Sequence, residues 1–189
     1  MDKLMALIMD SRTVRIPSKS EVKHSGIKLT FADISPLIVV TIIPVPVELH
    51  LRTDLSFNAQ PWNGEAERYV RARDEEMRKQ NQIIADYDVI IESEGFDTGD
   101  PTDPYHERAV VLVRNIRTRK EHLIYSTEVS MPADAVEKAR NRGFKTTTIG
   151  DVIHEENPEI PADNWQETRG LSRDLQIAYA LVESGMLWR

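Results

Sequence analysis

Between Glu92 and Glu107 the sequence holds six carboxylates, Glu92, Glu94, Asp97, Asp100, Asp103 and Glu107, together with His106. Clustered hard oxygens are what Ca²⁺ or Mg²⁺ requires, so Asp97, Asp100, Asp103 and His106 form a candidate metal set. The run DTGDPTDP departs from the calcium-loop pattern, and Pro101 and Pro104 stiffen a backbone that would have to curl round an ion. The plainer reading is a solvated acidic loop that binds no cofactor. A second charged cluster follows at Arg114, Arg117, Arg119 and Lys120, with His122 beyond it. Arginine suits bidentate recognition of phosphate; the plainer reading is again a solvated turn.

Other chemistries are excluded by composition or by missing patterns. The chain has no cysteine, which removes disulfide scaffolds, thiolate catalysis, iron–sulfur clusters and cysteine-ligated zinc. There is no G-x-S-x-G elbow, no G-x-G-x-x-G fingerprint and no H-E-x-x-H pair. Gly143–Asp151 (GFKTTTIGD) lacks the adjacent Gly-Lys pair and the earlier glycine of a phosphate loop. His154, beside Glu155 and Glu156, has no second histidine near it in sequence. The net charge of −7 argues against direct nucleic-acid binding, which needs a positive surface.

The elements that carry these charges are strands. Tyr87–Glu92 alternates, with Tyr87, Val89 and Ile91 on one face and Asp88, Ile90 and Glu92 on the other. Arg108–Ile116 is apolar at nearly every position and so calls for cover on both faces. Glu121–Val129 alternates again, and the short link Arg117–Lys120 makes an antiparallel hairpin with the preceding strand. The acidic loop and the basic turn then lie roughly 30 Å apart, at opposite ends of the middle strand.

Upstream, Lys3–Ile16 reads either as a short helix and a strand or as a hairpin turning at Asp10 and Ser11. Ile27–Ala32 alternates as a half-buried strand after the polar link 17–26, and Ser35 and Pro36 supply a turn. Leu37–Ile43 (LIVVTII) is β-branched and apolar on both faces, which predicts a place in the middle of a sheet or between a sheet and another layer. Pro44 and Pro46 remove donors that point the same way and block an edge. Trp62 sits in a turn-rich QPWNG context, either as an interface anchor or tucked over the end of the next helix.

Glu65–Ala85 is free of Gly and Pro and rich in helix formers, so it predicts one long central helix. Its narrow stripe of Tyr69, Val70, Met77 and Ile84 suits packing along the sheet or against a copy of itself. Helices are also expected over Pro132–Arg142, ended by Gly143, over Gly150–Glu155 with Thr148 as cap, and over Leu171–Glu183, capped by Ser172 or the residues just before it. Asn157–Asn164 is a proline-rich linker. Met186, Leu187 and Trp188 form an apolar tail that folds back or docks on a neighbour.

At 189 residues, 40% hydrophobic and 29% charged, the chain fits a single globular domain, with 1–16 and 157–189 as extensions docking on the core or on a neighbour. Leu4–Met9 is too short for a secretory segment, and Leu37–Val47 is too short to cross a bilayer. The fold expected is α+β: a mainly antiparallel sheet, the long central helix, and C-terminal helices covering a sheet face. Missing catalytic motifs, a seam helix, an apolar tail and opposed charge clusters together point to a non-catalytic subunit of a homo-oligomeric or multi-component assembly, such as a virion or other particle component. Its partners would be protein, its setting the cell interior or an assembled particle, and its contacts would come from Trp62, the stripe, Arg114, Arg117, Arg119, Lys120 and the tail. Two alternatives stand beside this: a metal-dependent or phosphate-handling hydrolase using the acidic loop with Mg²⁺ or Ca²⁺, and an acidic inhibitor of a nucleic-acid-binding partner.

Overall fold

A computed structural model describes residues 10–47, 62–80, 84–144 and 146–185. The chain opens on strand β1 (Asp10–Ile16), helix α1 (Glu21–Ile34) and strand β2 (Ile38–Pro44), with β1 and β2 parallel in register from Asp10 opposite Ile38 to Ile16 opposite Pro44. Helix α2 (Glu65–Lys79) follows. Then come strands β3 (Tyr87–Asp97), β4 (Tyr105–Asn115), β5 (Glu121–Tyr125) and the short β6 (Val129–Ser130). Helices α3 (Ala133–Arg142) and α4 (Ile149–Glu156), a 3₁₀ turn over Trp165–Arg169, and helix α5 (Arg173–Ser184) complete the described chain. The strand order is β2-β1-β3-β4-β5, with β6 also on β4. Pairing is parallel in the first two contacts and antiparallel in the others, so the molecule is α+β with a mainly antiparallel sheet.

The period-two pattern divides the sheet as its sequence requires. Tyr87, Val89, Ile91, Ala109, Val111 and Val113 face Ile27 and Phe31 of α1 and Ile177 and Leu181 of α5. Ile90, Val110 and Leu112 face Ala66, Val70 and Met77 of α2. The apolar run of β4 is thus covered on both sides, as expected. A further cluster joins Val129, Met131, Val136, Ala139, Ile149, Val152 and Trp165 beneath α3 and α4.

Four expectations need correction. Ile27–Ala32 is helical, within α1: Ile27 and Phe31 are four apart and satisfy both periods, while Leu29, which a strand would bury beside them, is exposed. The LIVVTII run forms the outer strand of the described sheet and leaves Leu37 and Val39 exposed. The central helix stops at Lys79, leaving Ile84 94% exposed, and at 15 residues it barely exceeds the 14 of α1. Glu121–Val129 breaks into β5 and β6, because Ser126 exchanges two bonds with Ala109, its N–H to the carbonyl at 2.9 Å and its Oγ from the N–H at 2.8 Å.

The terminal helices follow their signals closely. Thr148 and Asp151 form a reciprocal capping box on α4, Gly143 ends α3, and Ser172 and Gly185 flank α5. Most of 1–16 lies outside the described residues, as do 48–61 and Met186, Leu187 and Trp188; Asp10–Ile16 is an interior strand of the sheet. Among the described residues no helix is long and apolar enough to cross a membrane.

Candidate functional site

The acidic residues between Glu92 and Glu107 do not converge. Strand parity sends Glu92 and Glu94 to the α2 face, where Glu92 meets Arg73 and buried Glu94 accepts from Arg108 Nε at 2.8 Å. Glu107 points to the opposite face and is fully buried beneath α5, against Arg173. In the loop itself, Asp97 accepts from the Gly99 N–H at 2.9 Å and Asp100 from the Thr102 N–H at 2.8 Å, so both are spent on turns. Asp103 meets His106 Nε2 at 2.7 Å and also accepts from Ser130 Oγ. These bonds from Ser130 and His106 hold the Asp103 pKa below the usual carboxylate value. Among the described residues no group of three such side chains is placed to hold a metal ion, and the set Asp97, Asp100, Asp103 and His106 is not brought together as one.

The basic cluster also divides. Arg117, Arg119 and Lys120 are exposed on the β4–β5 turn, whereas Arg114 is buried in an ion network with Asp88 and Asp74. Among the other expected contact residues, Tyr69, Val70 and Met77 are buried, with Val70 and Met77 packed against the chain's own sheet, and Ile84 is exposed beyond the end of α2. Trp62 is half-buried, stacked on Phe144 at 5.7 Å and edge-on to Tyr105 at 5.9 Å, with Arg140 over both Trp62 and Tyr105.

A cleft that none of these residues lines lies elsewhere. Strands β1 and β3 pair only through Val14 with Tyr87 and Arg15 with Asp88. The edge of β3 just beyond Asp88 therefore runs on without β1, and α1 starts beside this gap. Lys23, in the first turn of α1, donates from Nζ to the Ile91 carbonyl at 2.6 Å. The cleft, of about 280 Å³, is lined by Ser20 and Lys23 at the start of α1, Ser93 of β3, and Thr148 and Asp151 at the start of α4. Ala162, Asp163, Trp165, Gln166 and Arg173, the first residue of α5, close it.

Local sequence accounts for this convergence. Ser20 caps α1 by accepting from the Lys23 N–H, and Thr148 caps α4 by accepting from the Asp151 N–H at 3.0 Å. Gly150 lets the proline-rich linker cross the first turn of α4, since a Cβ there would lie 1.9 Å from the Ala162 carbonyl oxygen. The Arg173 N–H donates to Asn164 Oδ1 at 2.8 Å, which ties α5 to the same linker.

The cleft's lining carries both signs of charge, Lys23 and Arg173 beside Asp151 and Asp163. Three helix N-termini border it, each carrying partial positive charge. Burial pushes the Lys23 pKa down, opposed by Glu92 and reinforced by Arg173 and Arg73. Burial likewise draws Arg173 down to about 9, which leaves it charged at neutral pH. Arg173 is 5% exposed and its Nη1 has no hydrogen-bond partner among the described residues. A buried guanidinium with a free donor at a helix N-terminus is suited to phosphate or carboxylate.

Neither Lys23 nor Arg173 stands out in the sequence. The signal that leads to them is topological: a parallel β1-α1-β2 unit implies ligand binding at the carboxyl ends of its strands. Reading Ile27–Ala32 as a strand hid that unit.

No family model matches the chain, and no curated protein sequence matches it. Among solved structures, the chain is similar to protein VC0702 from Vibrio cholerae, with a TM-score of 0.69 and 18% sequence identity over 93% of each chain. At that identity the likeness shows the shared α+β fold.

Proposed function

We propose that this chain binds a phosphate-bearing small molecule in the cleft between α1, α4 and α5. The observation that carries the reading is the buried Arg173 with its unpartnered Nη1, set across from Lys23 where helix N-termini converge. The phosphate-handling chemistry considered for the acidic loop and basic turn moves, on this reading, to a site lined by none of that loop's carboxylates and by no residue of that turn. Titration of the full chain with inorganic phosphate tests it calorimetrically. Lys23→Met is expected to weaken binding by about tenfold or more, the worth of one charge-assisted hydrogen bond, and Arg173→Lys to weaken it as well. Binding unchanged in both variants overturns the reading.

A second reading keeps self-association through paired charges. It is supported by the exposure of Asp97 and Asp100 at one end of the β3–β4 ladder and of Arg117, Arg119 and Lys120 at the other. Mass by light scattering across a salt series is expected to show an oligomer that dissociates as salt rises; a monomer at every salt concentration overturns it.

A further inference from the structure

Glu107 lies fully buried on β4 and divides its two oxygens between two residues of the cleft. Oε1 faces Arg173 Nη2, and Oε2 accepts from Gln166 Nε2 at 3.0 Å. A carboxylate only accepts, so the Gln166 amide must turn its NH₂ toward Glu107 and its carbonyl oxygen away. Gln166 is 1% exposed and Arg173 5% exposed. Each keeps one buried polar atom without a hydrogen-bond partner among the described residues: the donor Nη1 of Arg173 and the acceptor Oε1 of Gln166. One carboxylate thus contacts two residues that line a single cleft, each of which keeps one buried polar atom unpaired among the described residues.

Leaving a buried polar atom unmet is costly. A fully deprotonated oxyanion such as sulfate can accept from Nη1 but has nothing to offer Oε1. A phosphoryl group that keeps one proton meets both, its P–O⁻ accepting from Arg173 and its P–OH donating to Gln166. We infer that the cleft selects proton-bearing oxyanions over proton-free ones, with Arg173 and Gln166 as the selecting pair and Glu107 as the positioning residue that sets both. This rests on the cleft being the anion site proposed above.

The probes are inorganic phosphate, arsenate and sulfate, titrated calorimetrically into the full chain at pH 6.5 and constant ionic strength. Phosphate and arsenate, both protonated there, are expected to bind alike and at least about tenfold tighter than sulfate, the effect of one buried acceptor left unmet. Gln166→Met removes the acceptor and leaves the Arg173–Glu107 contact in place. It is expected to bring phosphate down to the sulfate affinity and leave sulfate unchanged. Glu107→Gln, checked for folding by circular dichroism, is expected to shrink the preference to below about threefold, because the Gln166 amide can then turn over. Equal binding of phosphate and sulfate by the unaltered chain, with both still weakened by Lys23→Met, overturns the selectivity and spares the anion site. A preference that survives Gln166→Met overturns the role of Gln166, and one that survives Glu107→Gln overturns that of Glu107. Failure of all three oxyanions to bind overturns both the selectivity and the site.

Discussion

Asp88 clamps the two halves of the sheet, and its removal is the most direct test of how they are joined. Among the described residues the ladder between β1 and β3 has two residue pairs, Val14 with Tyr87 and Arg15 with Asp88, and the Asp86 N–H extends it by one bond to the Thr13 carbonyl at 2.9 Å. So short a ladder needs help from side chains. Asp88, 0% exposed, accepts from Arg15 Nε at 2.6 Å and Nη2 at 2.9 Å, and from Arg114 Nη2. Asp88→Ala leaves two buried guanidinium groups short of a partner, a change that costs about 3–5 kcal/mol in buried pairs. Arg114 keeps Asp74, and Arg15 Nη1 keeps the Gln80 carbonyl at 3.1 Å, so the lower end, about 3 kcal/mol, is expected. For a chain of this size that lowers Tm by roughly 6–12 °C. Urea unfolding at pH 7 gives the free energy, and hydrogen exchange should show the β1 amides losing protection before those of β4. Glu121→Ala serves as the control: its bond from the half-exposed Arg78 is a surface pair, and the loss should stay below about 1 kcal/mol. If both variants lose less than 1 kcal/mol, or β1 and β4 exchange together, Asp88 does not clamp the junction.

Burial opposes the charge on His106, but the hydrogen bonds its ring donates to Asp103 at 2.7 Å and Glu128 at 3.3 Å outweigh it and raise the pKa above 6.5. A raised folded-state pKa gives stability that is complete below pH 6.5 and fades as pH rises through the folded value. Thermal melts from pH 5.5 to 8.5 should therefore lose this increment on the alkaline side, and His106→Gln should flatten that slope; an unchanged slope refutes the assignment. A Cβ on Gly26 would lie 2.8 Å from both the Asp174 carbonyl oxygen and Ile177 Cβ, so Gly26→Ala wedges α1 from α5. Overpacking of this kind costs about 1–3 kcal/mol, partly offset by about 1 kcal/mol of helix propensity. Because α5 begins with Arg173, phosphate affinity should fall along with Tm, and a variant at least as stable as the parent would contradict the packing.

The antiparallel half was legible because its pattern admits one reading. The alternation of Tyr87, Val89 and Ile91 against Asp88 and Ile90 can be satisfied only by a strand with two distinct faces, and both faces are found filled. The continuous apolar run of β4 likewise has a single explanation. Capping residues carried the last helices for a similar reason: Thr148 with Asp151 satisfies two backbone donors only at a helix start. The amino-terminal half offered no such uniqueness. Ile27 and Phe31 are compatible with period two and with a spacing of four, and only the exposure of Leu29 separates them. The β-branched run LIVVTII pairs along one flank alone, with β1, and its faces are only partly buried, so composition overstated how deep it lies.

The charged clusters are contiguous in sequence, whereas the cleft is assembled from residues far apart in the chain. On paired strands neighbouring positions alternate between faces, so Glu94, bonded to Arg108, and Glu107, against Arg173, lie on opposite sides of the sheet although β3 and β4 are adjacent. The cleft works the opposite way. Lys23 and Arg173 are 150 positions apart, and each looks ordinary in its own helix. They meet because α1 and α5 pack side by side on one face of the sheet, with the Ser25 hydroxyl donating to Asp174 at 3.1 Å near both N-termini. Two helix starts aligned in this way place their unpaired backbone N–H groups and their positive ends together, which is unfavourable unless something negative lies between them. Asp174, in the first turn of α5, and buried Glu107 supply that compensation from within the chain, and Nη1 of Arg173 is the donor they leave without a partner among the described residues.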